Sequence, residues 1–239
     1  MILTILQART SSSRLPGKVL MPLAGAPMIL RQIERVRRSR RIGRLVVATS
    51  DQPSDDELVA ELAGADVDTY RGPLDDVLAR FVGALEAFGP ADRVVRLTAD
   101  CPLADPDVID RTIEAVTAAG ADYGSNTPPQ RTFAKGLDVE VMTAAALRAA
   151  AARAASPEEH EHVTWALHRH PELYRQAWLS QDADEGEVRW TVDYPHDYAF
   201  VSAVYDALYA GSPAFTSDDV RRLVRSRPDL AMLGGERRV

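Results

Sequence analysis

Short apolar runs alternate with helical patterns four times in the first half of the sequence. Most of the runs are rich in isoleucine, leucine and valine and end at polar or turn-forming residues, which is typical of strands buried on both faces. The runs cover residues 1–6, 45–50, 67–70 and 94–98, and the helical patterns cover about 26–38, 53–63, 73–88 and 105–119. This alternation predicts an α/β fold in which a parallel sheet carries helices on both faces.

The second half of the chain is less regular. Strands are predicted at 122–125, 137–142, 174–179 and 187–192, and helices at about 143–154, 157–170, 195–209 and 218–226. The tail that ends in residues 234–239 is expected to fray. Because no repeat, low-complexity segment or linker divides the chain, a single domain over residues 1–239 is predicted.

The composition is that of a globular protein with a sizeable core, since 46% of the 239 residues are hydrophobic and 26% are charged. The single cysteine, Cys101, excludes an intramolecular disulfide and makes the reducing cytoplasm the expected location. The short apolar start lacks a basic leader and does not resemble a signal peptide. No apolar run approaches the roughly 20 residues that a membrane span requires, so no membrane association is expected.

Charge is distributed unevenly along the chain. Against a net charge of −7, residues 1–44 contain ten arginines and lysines and one acid, Glu34. The amino-terminal part is a basic pole on an acidic protein, which suits a small anionic ligand and argues against nucleic acid. Three of these cations, Arg31, Arg35 and Arg38, lie on one face of the first predicted helix and are expected to be solvated.

The turn after the first strand carries Arg9, Arg14 and Lys18 together with three serines and one threonine. Because the turn follows a sheet strand, it is predicted at the carboxyl edge of the sheet, where open α/β sheets bind ligands. Three fixed cations among hydroxyls suit a polyanion such as a nucleoside triphosphate. A solvated basic loop is the alternative interpretation.

This turn does not match the known phosphate-binding motifs. Ser12 stands where a P-loop requires its first glycine, and Val19 stands where a serine or threonine must follow the lysine. No G-x-G-x-x-G occurs anywhere in the chain. The predicted phosphate grip therefore consists of the three cations and loop amides, with Gly17 allowing close backbone approach.

Two aspartates are candidate ligands for magnesium. Asp100 follows the fourth strand, at the same sheet edge as the first loop, and Asp193 ends a later strand and is predicted to face Asp100 across the cleft. Magnesium takes only one or two protein carboxylates together with water and substrate phosphates. A turn-forming role is the alternative for Asp100, and helix capping suits Asp197. Cys101 is expected to be a packed side chain and not a nucleophile.

Residues 158–170 contain four of the five histidines. His160 and His162 are two residues apart and so point to different faces of a helix, and the H-E-x-x-H pattern is absent. A helix that lines a pocket or a subunit contact is therefore expected, in preference to a bound transition metal.

Polar residues between 131 and 142 are candidates for binding a second substrate. On the predicted strand, Asp138 and Glu140 share one face and can hydrogen-bond sugar hydroxyls. Before the strand, Arg131 or Lys135 can bind a carboxylate or a phosphate. A surface loop followed by a salt-bridged strand explains the same residues equally well.

Five segments together resemble the cytidylyltransferase family that activates acidic sugars, which includes the CMP-Kdo and CMP-sialic acid synthetases. The pattern is most like the branch of spore coat polysaccharide biosynthesis protein F. The segments are LQARTSSSRLPGKVL (6–20), RLTADCP (96–102), GLDVEVM (136–142), EHVTW (161–165) and RWTVDYPHDY (189–198). The sugar-pocket signatures of the sialic-acid enzymes are missing, so the acceptor does not carry over.

The resemblance implies a nucleotide-diphospho-sugar transferase fold, a Rossmann-like, mixed but mostly parallel sheet with a small dimerisation arm. It implies a homodimer, with residues 126–170 as sugar pocket and subunit contact. Catalysis is expected from Arg14, Lys18 and Asp100, and Mg²⁺ binding from Asp100 and Asp193. The nucleotide site is expected to contain Gln7, Ala8, Arg9, Arg14, Gly17, Lys18, Thr98 and Asp100. The acceptor site is expected to contain Arg131, Lys135, Asp138, Glu140 and His162.

The expected activity is magnesium-dependent transfer of CMP from CTP to a small acidic sugar, a 2-keto sugar acid, with release of pyrophosphate, for surface polysaccharide biosynthesis. One alternative is a nucleotidyltransferase that uses a sugar 1-phosphate or another phosphorylated or phosphonate acceptor. A second is a catalytically inactive nucleotide-binding partner subunit. A third, a glycosyltransferase, would need a D-x-D motif after a central strand, and the D-x-D segments at 66–68 and 182–184 are not so placed.

Overall fold

The computed structural model describes all 239 residues. Its strands are β1 Ile2–Gln7, β2 Pro22–Leu23, β3 Ala26–Pro27, β4 Arg44–Ser50, β5 Thr69–Gly72, β6 Arg93–Thr98, β7 Tyr123–Ser125, β8 Glu140–Thr143 and β9 Gln176–Trp178. Its helices are α1 Met28–Val36, α2 Asp56–Gly64, α3 Val77–Phe88, α4 Pro106–Ala118, α5 Ala144–Arg153, α6 Pro157–Glu161, α7 Trp165–Arg169, α8 Pro195–Leu208, α9 Ser217–Ser226 and α10 Pro228–Ala231. Short 3-10 helices lie at Lys18–Leu20, Pro53–Asp55 and Leu233–Gly235.

Seven strands form one sheet in the order β5-β4-β1-β6-β8-β7-β9. Strand β1 pairs in parallel with β4 on one side and with β6 on the other. Strand β8 runs antiparallel between β6 and β7, and β9 is again parallel to β7. The mixed, mostly parallel sheet flanked by helices confirms the predicted fold class.

Strand β1 shows how the apolar runs build the core. Leu3 and Ile5 belong to a buried cluster that includes side chains of α3 and α5, whereas Leu6 belongs to a cluster that includes side chains of α1, α2 and α4. The period of two thus supplies both layers from a single strand. Each fully buried aliphatic side chain of this kind stabilises the fold by about 1.5–3 kcal/mol. A third cluster joins α8 and α9 to Trp190.

The predicted strand at 187–192 is wrong as secondary structure. Its only ladder contact is an isolated bridge between Lys135 and Arg189. The alternation nevertheless indicates burial correctly, because the apolar side chains of the segment, Val188, Trp190 and Val192, are all fully buried. They pack in the third cluster instead of beside a neighbouring strand.

Two helical predictions also need correction. The helix expected at 157–170 breaks at His162 into α6 and α7. The predicted solvation of Arg35 is wrong: its side chain is buried, its Nε donates to the carbonyl of Ala104 at 2.9 Å, and its guanidinium lies 4.1 Å from the ring centre of Phe215. The arginine side of α1 is therefore covered by other parts of the chain.

The end of the chain is ordered by specific contacts, contrary to the predicted fraying. Arg238 is fully buried, and its backbone carbonyl accepts a hydrogen bond of 2.8 Å from the Trp190 indole.

No helix combines the length and the apolar character needed to cross a membrane.

Candidate active site

A cavity of about 760 Å³ opens at the carboxyl ends of β1 and β6. Its walls come from the first loop, from the turn before α3, from α6 and from the segment before α8. Polar residues dominate, with only 5 hydrophobic residues among the 22 that line it. This is the sheet edge at which the sequence places the polyanion site.

The first loop is fixed by a buried carboxylate. Asp55 is fully buried and accepts hydrogen bonds from the Thr10 amide at 2.8 Å and the Thr10 hydroxyl at 2.7 Å. Thr49 and Ser50, at the end of β4, donate to its other oxygen. Burial acts to raise the pKa of Asp55, but these hydrogen bonds outweigh it and hold the pKa below its ordinary value. Asp55 therefore stays ionised and joins the loop to the neighbouring strand.

The loop closes on itself at Gly17. Its amide donates to the Thr10 carbonyl at 2.9 Å, and its φ of 70° is in the left-handed region that glycine adopts without a steric cost. The following residue, Lys18, starts a 3-10 helix and is buried. The loop thus presents its lysine inward while Arg9 and Arg14 remain more exposed.

Lys18 lies between the two aspartates predicted as metal ligands. Its Nζ donates to Asp193 Oδ1 at 3.1 Å and to the carbonyl of Val192 at 2.7 Å, and it lies 3.6 Å from Asp100 Oδ2. The structure therefore brings together three residues that the sequence places in the site, although they come from three distant segments.

Asp193 is surrounded by cations. Arg14 pairs with it at 2.6 Å and Arg189 at 2.9 Å, in addition to Lys18. Burial acts to raise the pKa of Asp193, but the charge of Lys18 and the hydrogen bonds from Lys18 and Arg189 lower it below its ordinary value. Asp100 is less enclosed, and its Oδ1 accepts a hydrogen bond of 2.6 Å from the Thr98 hydroxyl.

The two carboxylates fit a divalent cation. Asp100 and Asp193 line the same cavity and approach the same ammonium nitrogen, so they can serve one positive charge together. No group of three or more potential metal-ligating side chains is present. A pair of carboxylates beside a polyanion site is the donor set of magnesium or manganese, which complete their coordination with water and phosphate oxygens.

The opposite wall of the cavity is held by Arg80 of α3. Its side chain is fully buried, and its Nε and Nη2 donate to the carbonyl of Pro73 at 3.0 and 2.7 Å, while Nη2 also reaches the carbonyl of Leu74 at 2.7 Å. Its Nη1 has no protein partner. Asp76, the N-cap of α3, pairs in addition with His160 of α6 at 2.8 Å. The turn before α3 is therefore fixed on two sides.

A second cavity of about 170 Å³ adjoins the first and shares Arg96 and Thr98 with it. Thr127, Asp138 and Glu140 complete its lining, which contains no hydrophobic residue. The structure thus places Asp138 and Glu140 on one cavity wall, as their spacing predicts. Small hydroxylated groups match such a lining because both carboxylates and hydroxyls accept hydrogen bonds.

Glu140 is already engaged within this small cavity. It forms an ion pair with Arg96 and accepts hydrogen bonds from the Tyr123 hydroxyl at 2.7 Å and from the Thr164 hydroxyl at 2.6 Å. Burial acts to raise the pKa of Glu140, but Arg96 and these hydrogen bonds lower it below its ordinary value. Glu140 therefore orients the Arg96 side chain at the junction of the two cavities.

The remaining acceptor-site candidates differ in position. Arg131 donates to Asp138 Oδ2 at 2.9 Å, and Lys135 pairs with Glu187 at 3.6 Å. Neither Arg131 nor Lys135 lines either cavity. His162 lines the main cavity and stacks on Trp165 with 5.7 Å between ring centres. Of these residues, Arg131 and Lys135 are therefore not part of the lining, although Arg131 pairs with Asp138, which lines the second cavity.

The expected nucleotide-binding residues are mostly brought together. Gln7, Ala8, Arg9, Arg14, Lys18, Thr98 and Asp100 all line the main cavity, whereas Gly17, next to Lys18 in the chain, does not. The Arg9 guanidinium makes no hydrogen bond or ion pair with the protein, so it is free to meet a ligand. Gln7 accepts a hydrogen bond of 3.1 Å from Arg96.

Three residues of the site were not predicted. Arg80 occurs three residues after Val77, on the apolar face of its helix. An arginine at such a position indicates, from the sequence alone, a charged side chain directed into the protein. Arg96 interrupts the apolar run Val94–Leu97 of an inner strand, which is a second signal. Asp55 gives no local signal, because its role depends on a contact with Thr10, 45 residues earlier.

The fold and this cavity lined by cations and carboxylates match a nucleotidyltransferase-type protein. The cytidylyltransferase family model matches residues 3–201, and the chain belongs to the cytidylyltransferase family. Spore coat polysaccharide biosynthesis protein SpsF of Bacillus subtilis is 36% identical over an alignment of 242 positions, which covers 96% of each chain. The 3-deoxy-manno-octulosonate cytidylyltransferase of Yersinia enterocolitica is 32% identical over 165 residues, which cover 66% of this chain and 65% of that protein.

Solved structures share the fold. A cytidylyltransferase from Leptospira borgpetersenii superposes with a TM-score of 0.89 at 27% identity, covering 96% of this chain and 95% of that one. CMP:2-keto-3-deoxy-manno-octonic acid synthetase complexed with CTP superposes with a TM-score of 0.63 at 16% identity, covering 86% of this chain and 98% of that one. Rv0371C of Mycobacterium tuberculosis in complex with manganese superposes with a TM-score of 0.61 at 17% identity, covering 84% of this chain and 98% of that one. The family and the fold class implied by the sequence resemblance are both confirmed.

Proposed function

We propose that this protein transfers a cytidylyl group from CTP to a hydroxyl group of a 2-keto sugar acid and releases pyrophosphate. The observation that carries the proposal is the position of Lys18, whose ammonium lies between Asp100 and Asp193 at the base of a polar cavity lined by Arg9 and Arg14. Cations for a triphosphate and carboxylates for its metal ion therefore share one cleft.

The triphosphate would lie along the first loop. Arg9 is without a protein partner, and Arg14 is half exposed, so both can pair with phosphate oxygens. Lys18 and Arg14 then stabilise the negative charge that develops on the leaving pyrophosphate, because they are held in place before the reaction. The oxygen of the sugar hydroxyl forms the new bond to the α-phosphorus as the bond from the α-phosphorus to the α,β-bridging oxygen breaks. Pyrophosphate leaves with that oxygen, and the hydroxyl proton is released to water.

Asp100 and Asp193 would hold the divalent metal ion, for which we propose Mg²⁺. The manganese complex of Rv0371C supports a divalent ion, since that protein has the same fold. When bound, such an ion neutralises phosphate charge and acts as a Lewis acid. Arg189 and Lys18 keep Asp193 ionised and oriented for this role.

The small cavity would receive the acceptor. Its hydroxyls and carboxylates suit sugar hydroxyls. Arg131, which pairs with the lining residue Asp138, is the cation that we assign to the acceptor's carboxylate. The name of the Bacillus relative, a spore coat polysaccharide biosynthesis protein, supports a role in polysaccharide synthesis.

A pyrophosphate-release assay tests this proposal directly. The four nucleoside triphosphates are each combined with a panel of 2-keto sugar acids, neutral sugars, sugar 1-phosphates and phosphonates, in the presence of Mg²⁺. Release only with CTP and a sugar acid is expected. Release with another triphosphate and a sugar 1-phosphate, and none with CTP and a sugar acid, would contradict the proposal. Tight CTP binding without turnover on any acceptor would instead indicate an inactive nucleotide-binding subunit.

A further inference from the structure

The last residues of the chain pack beneath the segment that carries Asp193. Arg238 is the penultimate residue, yet its side chain is fully buried. Its Nη2 donates to Asp197 Oδ1 at 3.0 Å, and its Nη1 donates to the carbonyl of Arg189 at 2.6 Å. Its guanidinium also lies 4.9 Å from the ring centre of Phe200. A buried arginine with this many partners is costly to remove, because Asp197 would lose a matching cation.

Asp197 connects this arginine to Asp193. The side chain of Asp197 is fully buried, and its Oδ2 accepts hydrogen bonds of 3.0 Å from the backbone amides of Asp193 and Tyr194. Arg189 Nη2 lies 2.9 Å from a carboxylate oxygen of both Asp193 and Asp197. The position of the Asp193 backbone therefore depends on where Asp197 is held.

Backbone contacts attach the tail to the start of the same segment. The Arg189 amide donates to the carbonyl of Arg237 at 2.8 Å, and the Trp190 indole donates to the carbonyl of Arg238. The tail thus forms hydrogen bonds directly with residues 189–190, and it is linked to residues 193–194 through Asp197. Residues 187–192 form only one bridge to another extended segment, through Lys135, and the tail contacts add to that bridge on the other side of Arg189.

We propose that Arg238 is a positioning residue of the active site, which sets the place of Asp193 through Asp197. The inference rests on the proposed role of Asp193 as a metal ligand. A residue behind a ligand typically changes metal affinity or activity by about 10–100-fold when it is removed. The side chain of Arg238 then supports the site from outside the matched family region, residues 3–201.

The test compares Arg238→Ala, Arg238→Lys and, as a matched control, Arg237→Ala in the full chain. Arg237 is exposed, and its side chain contacts only the terminal backbone oxygen. Three quantities are measured: Mn²⁺ affinity by electron paramagnetic resonance, amide exchange at residues 193–194 relative to β1, and kcat and KM for CTP.

For Arg238→Ala we expect Mn²⁺ affinity and kcat to fall by about 10-fold or more, with little change in KM for CTP. Relative to the wild type, amide exchange at residues 193–194 should become faster, while exchange in β1 should stay the same. Arg238→Lys should recover part of each loss, and Arg237→Ala should match the wild type. A folded Arg238→Ala protein with wild-type Mn²⁺ affinity and exchange at residues 193–194 would overturn the proposal. If Arg238→Ala does not fold, the same measurements on Arg238→Lys decide, and wild-type values there overturn it.

The readouts separate this inference from the proposed function. A wild-type protein that binds Mn²⁺ but releases no pyrophosphate from CTP contradicts the cytidylyl-transfer proposal alone. A wild-type protein that binds no Mn²⁺ contradicts the metal-ligand role of Asp193, and with it this inference.

Discussion

Lys18 Nζ lies 3.1 Å from Asp193 Oδ1 although 175 residues separate the two in the sequence. The same nitrogen is 3.6 Å from Asp100 Oδ2. One buried ammonium therefore pairs with two carboxylates and joins three chain segments at the sheet edge. The phosphate-binding loop and the proposed metal ligands form one electrostatic network, so a change in either part should affect the other.

Replacing Lys18 tests this network. Lys18→Met keeps most of the side-chain volume but leaves two carboxylates without their shared cation. We expect kcat/KM for pyrophosphate release to fall by about 10²–10³-fold, the loss seen when one preorganised charge-stabilising donor is removed. Arg40→Met, at an exposed surface arginine, is the control and should remain active. Activity of Lys18→Met within a few-fold of wild type would contradict the role assigned to this residue.

Asp100→Asn separates metal binding from folding. The amide oxygen can still accept the hydrogen bond from Thr98, so the turn should persist. The missing negative charge should weaken Mn²⁺ binding by about 10-fold or more and abolish most turnover. Titration calorimetry with Mn²⁺ and the melting temperature measure the two effects separately. Asp206→Asn, at an exposed position on α8, is the matched control, and equal Mn²⁺ affinity in both variants would argue against Asp100 as a ligand.

The contact between Thr10 and Asp55 should matter for nucleotide affinity. Thr10→Val is nearly isosteric and removes the hydroxyl that donates to Asp55 and to the Ser54 carbonyl, while the amide bond to Asp55 remains. We expect a loss of about 1 kcal/mol in stability and a several-fold higher KM for CTP, because the loop loses part of its anchor. Thr69→Val on β5 removes a comparable local hydroxyl bond, and its KM should not change. A KM for Thr10→Val equal to that of the control would show that the anchor is not needed.

Burial patterns and local motifs were enough to predict much of this molecule. The alternation of Val188, Trp190 and Val192 indicates their burial correctly, and only their hydrogen-bond partners differ from a strand. Likewise, the loop composition and the strand-end positions predict that Lys18 and Asp100 meet. These features depend on local periodicity and on the rule that parallel strands end at one edge.

Contacts between distant segments could not be predicted in the same way. Arg35 looks like a solvated arginine within its own helix, and only the packing of Phe215 and the Ala104 carbonyl against it explains its burial. The pairing of Arg238 with Asp197 is of the same kind, since no pattern within either segment specifies the other. The sequence around Asp197 is explained fully by a helix cap, and Asp197 Oδ2 does accept a hydrogen bond from the Tyr194 amide.

Acid should unfold the protein in part through Asp197. Burial acts to raise the pKa of this carboxyl, but hydrogen bonds from Arg189, Arg238 and the backbone lower it from 3.8 to about 2. Because the pKa is lower in the folded state, the stabilising contribution is fully present above pH 4 and is lost as the pH falls towards 2. A shift of this size corresponds to about 2 kcal/mol.

Urea unfolding at a series of pH values from 5 to 2 measures this contribution. The free energy of unfolding should decrease over that range in both proteins. The decrease should be about 2 kcal/mol larger for the wild type than for Asp197→Asn. Asp197→Asn should also be less stable at pH 5, because Arg189 and Arg238 lose their shared carboxylate. Asp182→Asn, in an exposed loop, should follow the wild-type pH dependence. If Asp197→Asn loses stability between pH 5 and pH 2 as steeply as the wild type, then acid acts on other carboxylates, and the Asp197–Arg238 pair does not determine the acid limit of the fold.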